Sequence, residues 1–258
     1  MPLDVEKLIK ENEKFHEFQG RRTGYLFFPC RKPSAGKRLL ISFGAYNGNY
    51  NRVRGYYEEL RGEYDLLYLA NKGQYYLADK GDFAVEAMYT ELIGQIIASS
   101  GVARKDIFCL GSSMGGFAAL YYGFKFEVGK IVAICPLPGV AAFYKNCHPD
   151  IYRQIIADPA FDLDAYVFKM FEKKTATQTH IVFCRNDKKM PLAGTPRLLS
   201  SLVLNQNIFS FECHSLDYPE GKSAHTAISY LMTPDRVMEL FKRDLHAAVA
   251  MPVAGGND

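Results

Sequence analysis

The chain has 258 residues, of which 48% are hydrophobic and 23% charged, and its formal net charge is +3. That length suits one large domain, and the composition is ordinary for a globular protein. The small net charge, without a run of lysine and arginine, argues against a nucleic-acid-binding protein. The charged N-terminus lacks a signal-peptide core, and no apolar stretch approaches the roughly 18 residues of a membrane span. We therefore predict a cytoplasmic protein without a transmembrane segment.

The six cysteines are not spaced as metal ligands or as a redox pair. Cys109, Cys184 and Cys213 fall inside or at the end of apolar runs that are typical of strands. Cysteines in such runs usually behave as small buried hydrophobic residues. We expect reduced structural thiols, no bound metal and no resident cofactor.

In chain order, the first predicted element is a helix over 5–18, with Asp4 as its N-cap. Apolar runs predict strands at 25–28, 38–43, 64–69, 106–110, 130–135, 180–184 and 208–213. Helical periodicity or helix boundary signals fall at 82–100, 115–125, 196–204 and about 226–249. The first two strands suggest an antiparallel edge, and the later alternation predicts a mostly parallel α/β sheet with helices on both faces.

The segment 141–174 differs from the rest of the chain because it has helical patches but no predicted strand. We interpret it as a small helical cap inserted into a single domain that spans residues 1–258.

The most informative motif is Gly111-Ser112-Ser113-Met114-Gly115, which separates the apolar run 106–110 from a helix rich in small residues. A serine on such a strand-to-helix turn has a strained backbone, and its hydroxyl is exposed above the sheet. A Cβ at Gly111 or Gly115 would collide with the neighbouring strand or helix. The helix start also directs free N–H groups at any negative charge that develops nearby. Ser113 is therefore the candidate nucleophile.

A serine nucleophile needs a base to accept its proton. His225 lies on a polar loop that enters the last predicted helix, where a general base is expected. His214, directly after the strand 208–213, is its main rival. His180 and His246 fall inside regular elements, so we expect them to be structural.

The base in turn needs an acid that holds it in the correct tautomer. Asp187 follows the late strand 180–184 and precedes His225 in the chain, which is the order of such a set. Asp217 is the alternative acid, and a solvated turn aspartate is the alternative role for Asp187.

An oxyanion hole needs two N–H donors. We predict the Met114 amide as the first donor. The second is expected from Gly44 or Ala45, after the strand 38–43.

With this set the chain resembles the α/β-hydrolase superfamily, and within it the bacterial capsular polysaccharide O-acetyltransferases and the accessory Sec system glycan acetyltransferases. The resemblance is carried by the serine motif with Gly116 and by four further stretches, which are 41–45, 72–77, 184–187 and the His225 loop. It implies that serine takes an acetyl group from acetyl-CoA and passes it to a sugar hydroxyl, with Ser113, Asp187 and His225 at the matching positions. An esterase of the same fold and an inactive scaffold in a glycan or secretion complex are the alternatives, and a thioesterase or peptidase is a third.

Tyrosines in the loops above the nucleophile offer aromatic faces to a sugar ring and hydroxyls for hydrogen bonds. We predict Tyr46, Tyr75 and Tyr76 as substrate-binding residues, with burial at core edges as their other role. Basic side chains at Arg52, Arg54, Lys188 and Lys189 can meet phosphate or an anionic glycan, or form a solvated surface.

Overall fold

A computed structural model of the chain describes residues 3–31, 36–45, 50, 52–71, 75–79, 81–147, 149–156, 158, 160–187, 194–214 and 232–245. Its strands are β1 (Lys14–Phe18), β2 (Arg21–Phe28), β3 (Arg38–Phe43), β4 (Tyr64–Leu69), β5 (Ile107–Ser112), β6 (Lys130–Ile134), β7 (Gln178–Cys184) and β8 (Phe209–His214). They form one eight-stranded sheet in the order β1-β2-β4-β3-β5-β6-β7-β8.

The sheet is mostly parallel. β1 pairs antiparallel with β2, and β2 pairs antiparallel with β4. All later neighbours are parallel.

The helices are α1 (Val5–Asn12), α2 (Val53–Leu60), α3 (Ala84–Ser100), α4 (Met114–Phe126), α5 (Val140–Cys147), α6 (Pro149–Ile155), α7 (Leu163–Phe171), α8 (Thr195–Leu204) and α9 (Pro234–Lys242). The predicted mostly parallel α/β class is confirmed. The antiparallel edge was predicted from the strands 25–28 and 38–43, and this pairing is wrong. The antiparallel pairs are β1 with β2 and β2 with β4, because β3 lies between β4 and β5 as a parallel strand.

Parallel pairing brings functional loops together. Because β3 to β8 run in the same direction, the residues that follow them meet along one side of the sheet, here called the carboxyl edge. Phe43, at the end of β3, is paired with both Leu69 and Gly111. The loops after β3, β4 and β5 therefore start side by side at this edge.

The predicted first helix is correct only in its first half. Asp4 does cap α1, since its carboxylate accepts a hydrogen bond from the Lys7 amide at 3.0 Å. The chain then enters β1, which is joined to β2 by Gln19 and Gly20, both at positive φ (49° and 76°). Two such residues are the hairpin turn that suits a right-handed strand twist, so pairing with β2 overrides the helical pattern of this segment.

The segment predicted as a cap contains α5, α6 and α7 and no strand among its described residues. Part of α7 belongs to the helical layer beside the sheet, because the Phe171 ring lies edge-on against Phe124 of α4, with centroids 5.6 Å apart. The remainder of the cap hypothesis, that these helices cover a cleft, stays a prediction. No helix in the described parts of the chain is long and apolar enough to cross a bilayer.

None of the six cysteines forms a disulfide in the structure. Cys109 and Cys184 are buried as expected. Cys213 is exposed, which corrects the expectation of burial, because β8 is an edge strand and only one of its faces is covered.

Candidate active site

The turn between β5 and α4 holds Ser113 in a strained conformation. Ser113 has φ 56° and ψ −121°, a region that non-glycine residues rarely occupy. Its N–H donates to the Ile134 carbonyl at the end of β6 at 2.8 Å, and its carbonyl accepts the Phe117 N–H at 3.0 Å. The side chain is partly exposed. This is the geometry predicted for a nucleophilic serine at the carboxyl edge.

Glycine is required on both sides of this serine. A Cβ added to Gly111 would lie 1.9 Å from the Gly115 carbonyl oxygen, and one added to Gly115 would lie 2.5 Å from the Phe43 carbonyl oxygen. Both contacts are with backbone, so neither can be relieved by a side-chain movement. The predicted collisions with helix and strand are confirmed.

Asp187 lies just beyond β7, also at the carboxyl edge. Its N–H donates to the Cys184 carbonyl at 3.0 Å, and the residue is only 4% exposed. The alternative of a solvated turn aspartate is therefore wrong. A buried carboxylate needs hydrogen-bond donors directed at it, since an unpaired charge is expensive away from water.

One such donor is the Cys135 thiol, a contact that sequence reasoning missed. The thiol is hydrogen-bonded to the Asp187 carboxylate, and burial together with that negative charge raises the pKa of the thiol. Cys135 directly follows β6, is 1% exposed and has φ 42°. Its own N–H donates to the Val182 carbonyl of β7 at 2.7 Å, which fixes its position relative to Asp187.

The positions of His214 and His180 in the sheet indicate whether each could act as the base for Ser113. His214 ends β8, three strands from β5, so about 14 Å separates its backbone from the serine turn at ~4.8 Å per strand. Its Nε2 lies 3.4 Å from a Glu212 carboxylate oxygen. His180 is fully buried within β7, and burial lowers its pKa to about 4, which agrees with a structural role. His225 and the alternative acid Asp217 lie outside the described residues, and so does His246.

Chain length nevertheless allows His225 to reach Ser113. It follows His214 by eleven residues, and the chain returns to described structure at Met232, before α9. At ~3.3 Å per extended residue, half of such a segment is enough to cross three strands. His225 as the base stays a prediction that the topology permits.

Neither a protein-family model nor the sequence of a curated protein matches this chain. Solved structures do match it. The capsule O-acetyltransferase of Neisseria meningitidis serogroup A has a TM-score of 0.67 at 17% identity, over 91% of this chain and 99% of its own. A mutant of that protein in complex with CoA has a TM-score of 0.61 at 18% identity, over 85% and 93%.

A fluorophosphonate-binding serine hydrolase of Staphylococcus aureus has a TM-score of 0.67 at 12% identity, over 90% of this chain and 98% of its own. The glycosylation-associated protein complex of Streptococcus agalactiae has the same TM-score at 15% identity, over 90% of this chain and 47% of that one. The chain has the α/β-hydrolase fold. At these identities the likeness is one of fold.

The α/β-hydrolase fold places two N–H donors near the serine, one after the nucleophile and one after β3. Met114 is the first residue of α4, so its N–H has no acceptor within the helix. Its side chain is fully buried, and its sulfur accepts a hydrogen bond from the Asn71 amide nitrogen at 3.0 Å. Sequence reasoning did not identify Asn71, which is 2% exposed and follows β4.

Gly44 is excluded as the second donor. Its N–H donates to the Leu69 carbonyl at 3.2 Å, which extends the pairing of β3 with β4. Ala45, the next residue, therefore remains as the predicted second donor.

The predicted sugar-binding tyrosines require a correction. Tyr75 and Tyr76 are 0% exposed, so neither ring can stack on a sugar. The Tyr76 hydroxyl donates to the carbonyls of Gly44 and Leu69, both at 3.1 Å, and burial raises its pKa. The Tyr75 ring packs 5.3 Å from Phe117 between centroids. Tyr76 thus holds the backbone at the ends of β3 and β4, and Tyr75 packs against α4. Tyr46 lies outside the described residues.

Proposed function

We propose that this α/β-hydrolase-fold chain is a serine-dependent acyl-transfer enzyme with Ser113 as nucleophile, His225 as general base and Asp187 as the acid that orients the base. The observation that carries this proposal is the strained Ser113 at the carboxyl edge, at the start of a helix whose entry requires Gly111 and Gly115. A backbone held in a rare conformation is best explained by the function it serves. The buried Asp187, two strands away on the same edge, supports the assignment.

The first half of the reaction forms an acyl-enzyme. His225 takes the Ser113 hydroxyl proton while the oxygen forms a bond with the acyl carbonyl carbon. The carbonyl oxygen becomes an oxyanion, which the amides of Met114 and Ala45 stabilise by ~3 kcal/mol per donor. The bond to the leaving group then breaks, and the leaving group receives the proton from His225.

The second half transfers the acyl group. An acceptor hydroxyl adds to the same carbonyl carbon as His225 takes its proton, the bond to the Ser113 oxygen breaks, and the proton returns to Ser113. Water as acceptor gives an esterase, and a sugar hydroxyl gives an O-acetyltransferase. The two outcomes differ only in which nucleophile reaches the acyl-enzyme.

We favour O-acetyl transfer to a carbohydrate, with acetyl-CoA as donor. The likeness to a capsule O-acetyltransferase over 99% of that protein, and its complex with CoA, support this choice. The likeness to a serine hydrolase keeps the esterase as the second candidate. A scaffold role, as in a glycosylation complex, is less favoured because a scaffold has no use for the strained serine. The cytoplasmic location stays a prediction.

A fluorophosphonate probe tests the nucleophile directly. We expect one covalent adduct, located on Ser113 by peptide mass spectrometry, and none after Ser113→Ala. The matched control is Ser112→Ala, which removes a hydroxyl one residue earlier, on a side chain that is 6% exposed and lies within β5. This variant should label like the wild type. Absence of any adduct on the folded wild type would favour the scaffold.

The dependence of the reaction rate on a carbohydrate acceptor then distinguishes an O-acetyltransferase from an esterase. With p-nitrophenyl acetate, both an esterase and a transferase release p-nitrophenol, because both form the acyl-enzyme. With acetyl-CoA, a transferase releases CoA much faster when a carbohydrate acceptor is present. Hydrolysis of the ester without acceptor-dependent use of acetyl-CoA would identify the esterase.

The Cys135 contact gives a further prediction about this site. Cys135→Ala removes a hydrogen bond to a buried carboxylate, and we expect kcat to fall roughly tenfold with KM nearly unchanged, because a hydrogen bond to a charged group is worth ~1.5–3 kcal/mol. Cys135→Ser keeps a donor and should recover most of the loss. Steady-state kinetics with p-nitrophenyl acetate measure both variants.

The matched control is Cys109→Ala, which removes a fully buried thiol from β5, where burial alone raises the pKa of the thiol. This variant should lose stability, as Cys135→Ala does, yet keep the wild-type kcat. Equal kcat values for the two alanine variants would contradict a positioning role for Cys135.

A further inference from the structure

Arg52 is a buried cation at the carboxyl edge of the sheet. It directly precedes α2 and is 8% exposed. Its Nη1 donates to the Tyr56 hydroxyl at 3.3 Å, and its guanidinium carbon lies 5.7 Å from the centre of the same ring. The neighbouring Arg54 is exposed. Lys188 and Lys189, the other basic residues considered for anion binding, lie outside the described residues.

The charge of Arg52 is not balanced within the described parts of the chain. No carboxylate there forms an ion pair with it, and its buried Nε has no hydrogen-bond partner. Arg21, by contrast, contacts both Asp79 and Asp82, and Arg236 contacts Glu212 and Glu239. An arginine is rarely this buried without an anionic partner, because removing its charge from water is costly.

The helix that follows adds positive potential instead of reducing it. α2 has no side-chain cap, and its first turn contains no acidic residue. The N-terminus of a helix carries a partial positive charge and free N–H groups, which favour an anion. The acidic Glu58 and Glu59 lie more than one turn further along α2, and both are exposed. Arg52 is the N-cap residue of α2, so the buried cation and the helix start are adjacent in the chain. Of the first N–H groups, that of Val53 donates to the Tyr50 carbonyl at 3.0 Å.

The start of α2 lies at the same edge of the sheet as the candidate active site. The chain leaves β3 at the carboxyl edge, and α2 then returns to the start of β4, so the N-terminal end of α2 lies at the edge that carries Ser113. The Tyr56 hydroxyl that Arg52 contacts donates in turn to the Met232 carbonyl at 3.3 Å. Met232 is the first described residue after the segment that contains His225.

We propose that the Arg52 guanidinium and backbone N–H groups at the start of α2, without the exposed Arg54 side chain, form an anion subsite that binds a phosphate group of the substrate. This proposal rests on the proposed acyl transfer and narrows its substrate class. Phosphate oxygens match the planar donors of a guanidinium and the N–H groups of a helix start. The phosphate belongs either to the CoA part of the acyl donor or to a phosphorylated carbohydrate acceptor, two sources with the same chemistry.

Binding of inorganic phosphate tests the subsite without any reaction. Thermal unfolding of the full chain is compared in phosphate and in chloride at equal ionic strength, for wild type, Arg52→Met and the matched control Arg54→Met. A ligand that binds only the folded state raises Tm. We expect a rise of several degrees for wild type and Arg54→Met, and none for Arg52→Met.

The phosphate-free measurement separates binding from a structural role. Replacing an unpaired buried charge by an apolar side chain of similar length is neutral or stabilising. Arg52→Met should therefore match or exceed the wild-type Tm in chloride. A Tm well below wild type in chloride, with the phosphate response retained, would show that Arg52 is structural and overturn the proposal.

Kinetics distinguish the two sources of phosphate. If the donor supplies it, Arg52→Met lowers kcat/KM for acetyl-CoA about tenfold more than for the neutral ester p-nitrophenyl acetate, since tenfold is the loss of one modest charged contact. If the acceptor supplies it, the excess loss appears with a phosphorylated sugar and not with the unphosphorylated one. Arg54→Met should show neither excess loss.

Different results would contradict the anion subsite and the proposed acyl transfer. Equal losses for all substrates in Arg52→Met, together with an unchanged phosphate response, overturn the anion subsite while acyl transfer stands. Absence of a Ser113 adduct and of ester hydrolysis in the wild type overturns acyl transfer, and the phosphate-dependent Tm still decides whether Arg52 binds an anion.

Discussion

Asp187→Asn is expected to lower kcat for p-nitrophenyl acetate about 10⁴-fold at neutral pH, the effect that this substitution has in a serine protease with the same set of groups. The shape of the side chain is kept, but an amide cannot act as an anionic acceptor. It therefore holds the imidazole of the predicted base in the wrong tautomer and leaves the imidazolium formed in the reaction without a negative neighbour. Steady-state kinetics on the purified variant measure the loss.

Asp65→Asn is the matched control for the burial of the carboxylate. Asp65 is 0% exposed and lies at the start of β4, at the opposite edge of the sheet, where it pairs with Lys37 at 2.8 Å. This variant should lose folding stability, because Lys37 loses its partner, while the folded fraction keeps the wild-type kcat. An Asp187→Asn enzyme with near wild-type kcat, beside an inactive Asp217→Asn enzyme, would identify Asp217 as the acid.

The regular elements were predictable where local pattern and tertiary environment agree. β3 and β4 have the predicted bounds because an apolar run inside a mostly parallel sheet is buried on both faces. β1 was not predictable from its own residues. Its charged sequence resembles the helix before it, and only pairing with β2 makes it a strand.

The serine turn was predictable because its geometry restricts the sequence. No residue larger than glycine fits at Gly111 or Gly115. The two glycines of the motif therefore indicate the backbone conformation of the turn. No sequence motif predicts the contact between Cys135 and Asp187, because it depends on β6 and β7 being neighbours in the sheet. The sequence likewise could not exclude Gly44 as an oxyanion-hole donor. Its N–H donates to the Leu69 carbonyl, and this bond follows from the register of β3 and β4.

The tyrosines show why loop composition was a poor guide to exposure. A tyrosine in a polar, glycine-rich loop suggests a ring available to ligands. Tyr76 is instead fully buried, because two backbone carbonyls accept its hydroxyl and remove the cost of leaving water. Arg52 is the opposite case, since its burial leaves a positive charge without a carboxylate among the described residues.

The second large effect is a loss of folding stability that we expect for Gly115→Ala. Alanine normally favours a helix over glycine by up to ~1 kcal/mol, but here its Cβ would lie 2.5 Å from the Phe43 carbonyl oxygen and 2.8 Å from that of Gly44. Both atoms belong to the backbone at the end of β3, so α4 must move away from the sheet. We expect the free energy of unfolding in urea to fall by ~3 kcal/mol or more, the upper range for overpacking.

The matched control is Gly94→Ala, the same substitution inside α3, where the nearest atom to the new Cβ is a Phe126 ring carbon at 3.9 Å. That variant should gain up to ~1 kcal/mol, because only the helix preference of alanine acts. Fluorophosphonate labelling adds a functional readout. A displaced α4 removes the strain at Ser113 and moves the Met114 amide, so labelling should slow sharply in Gly115→Ala and stay unchanged in Gly94→Ala. A Gly115→Ala protein that is as stable and as reactive as wild type would mean that the close approach of α4 to β3 is not what holds the serine in place.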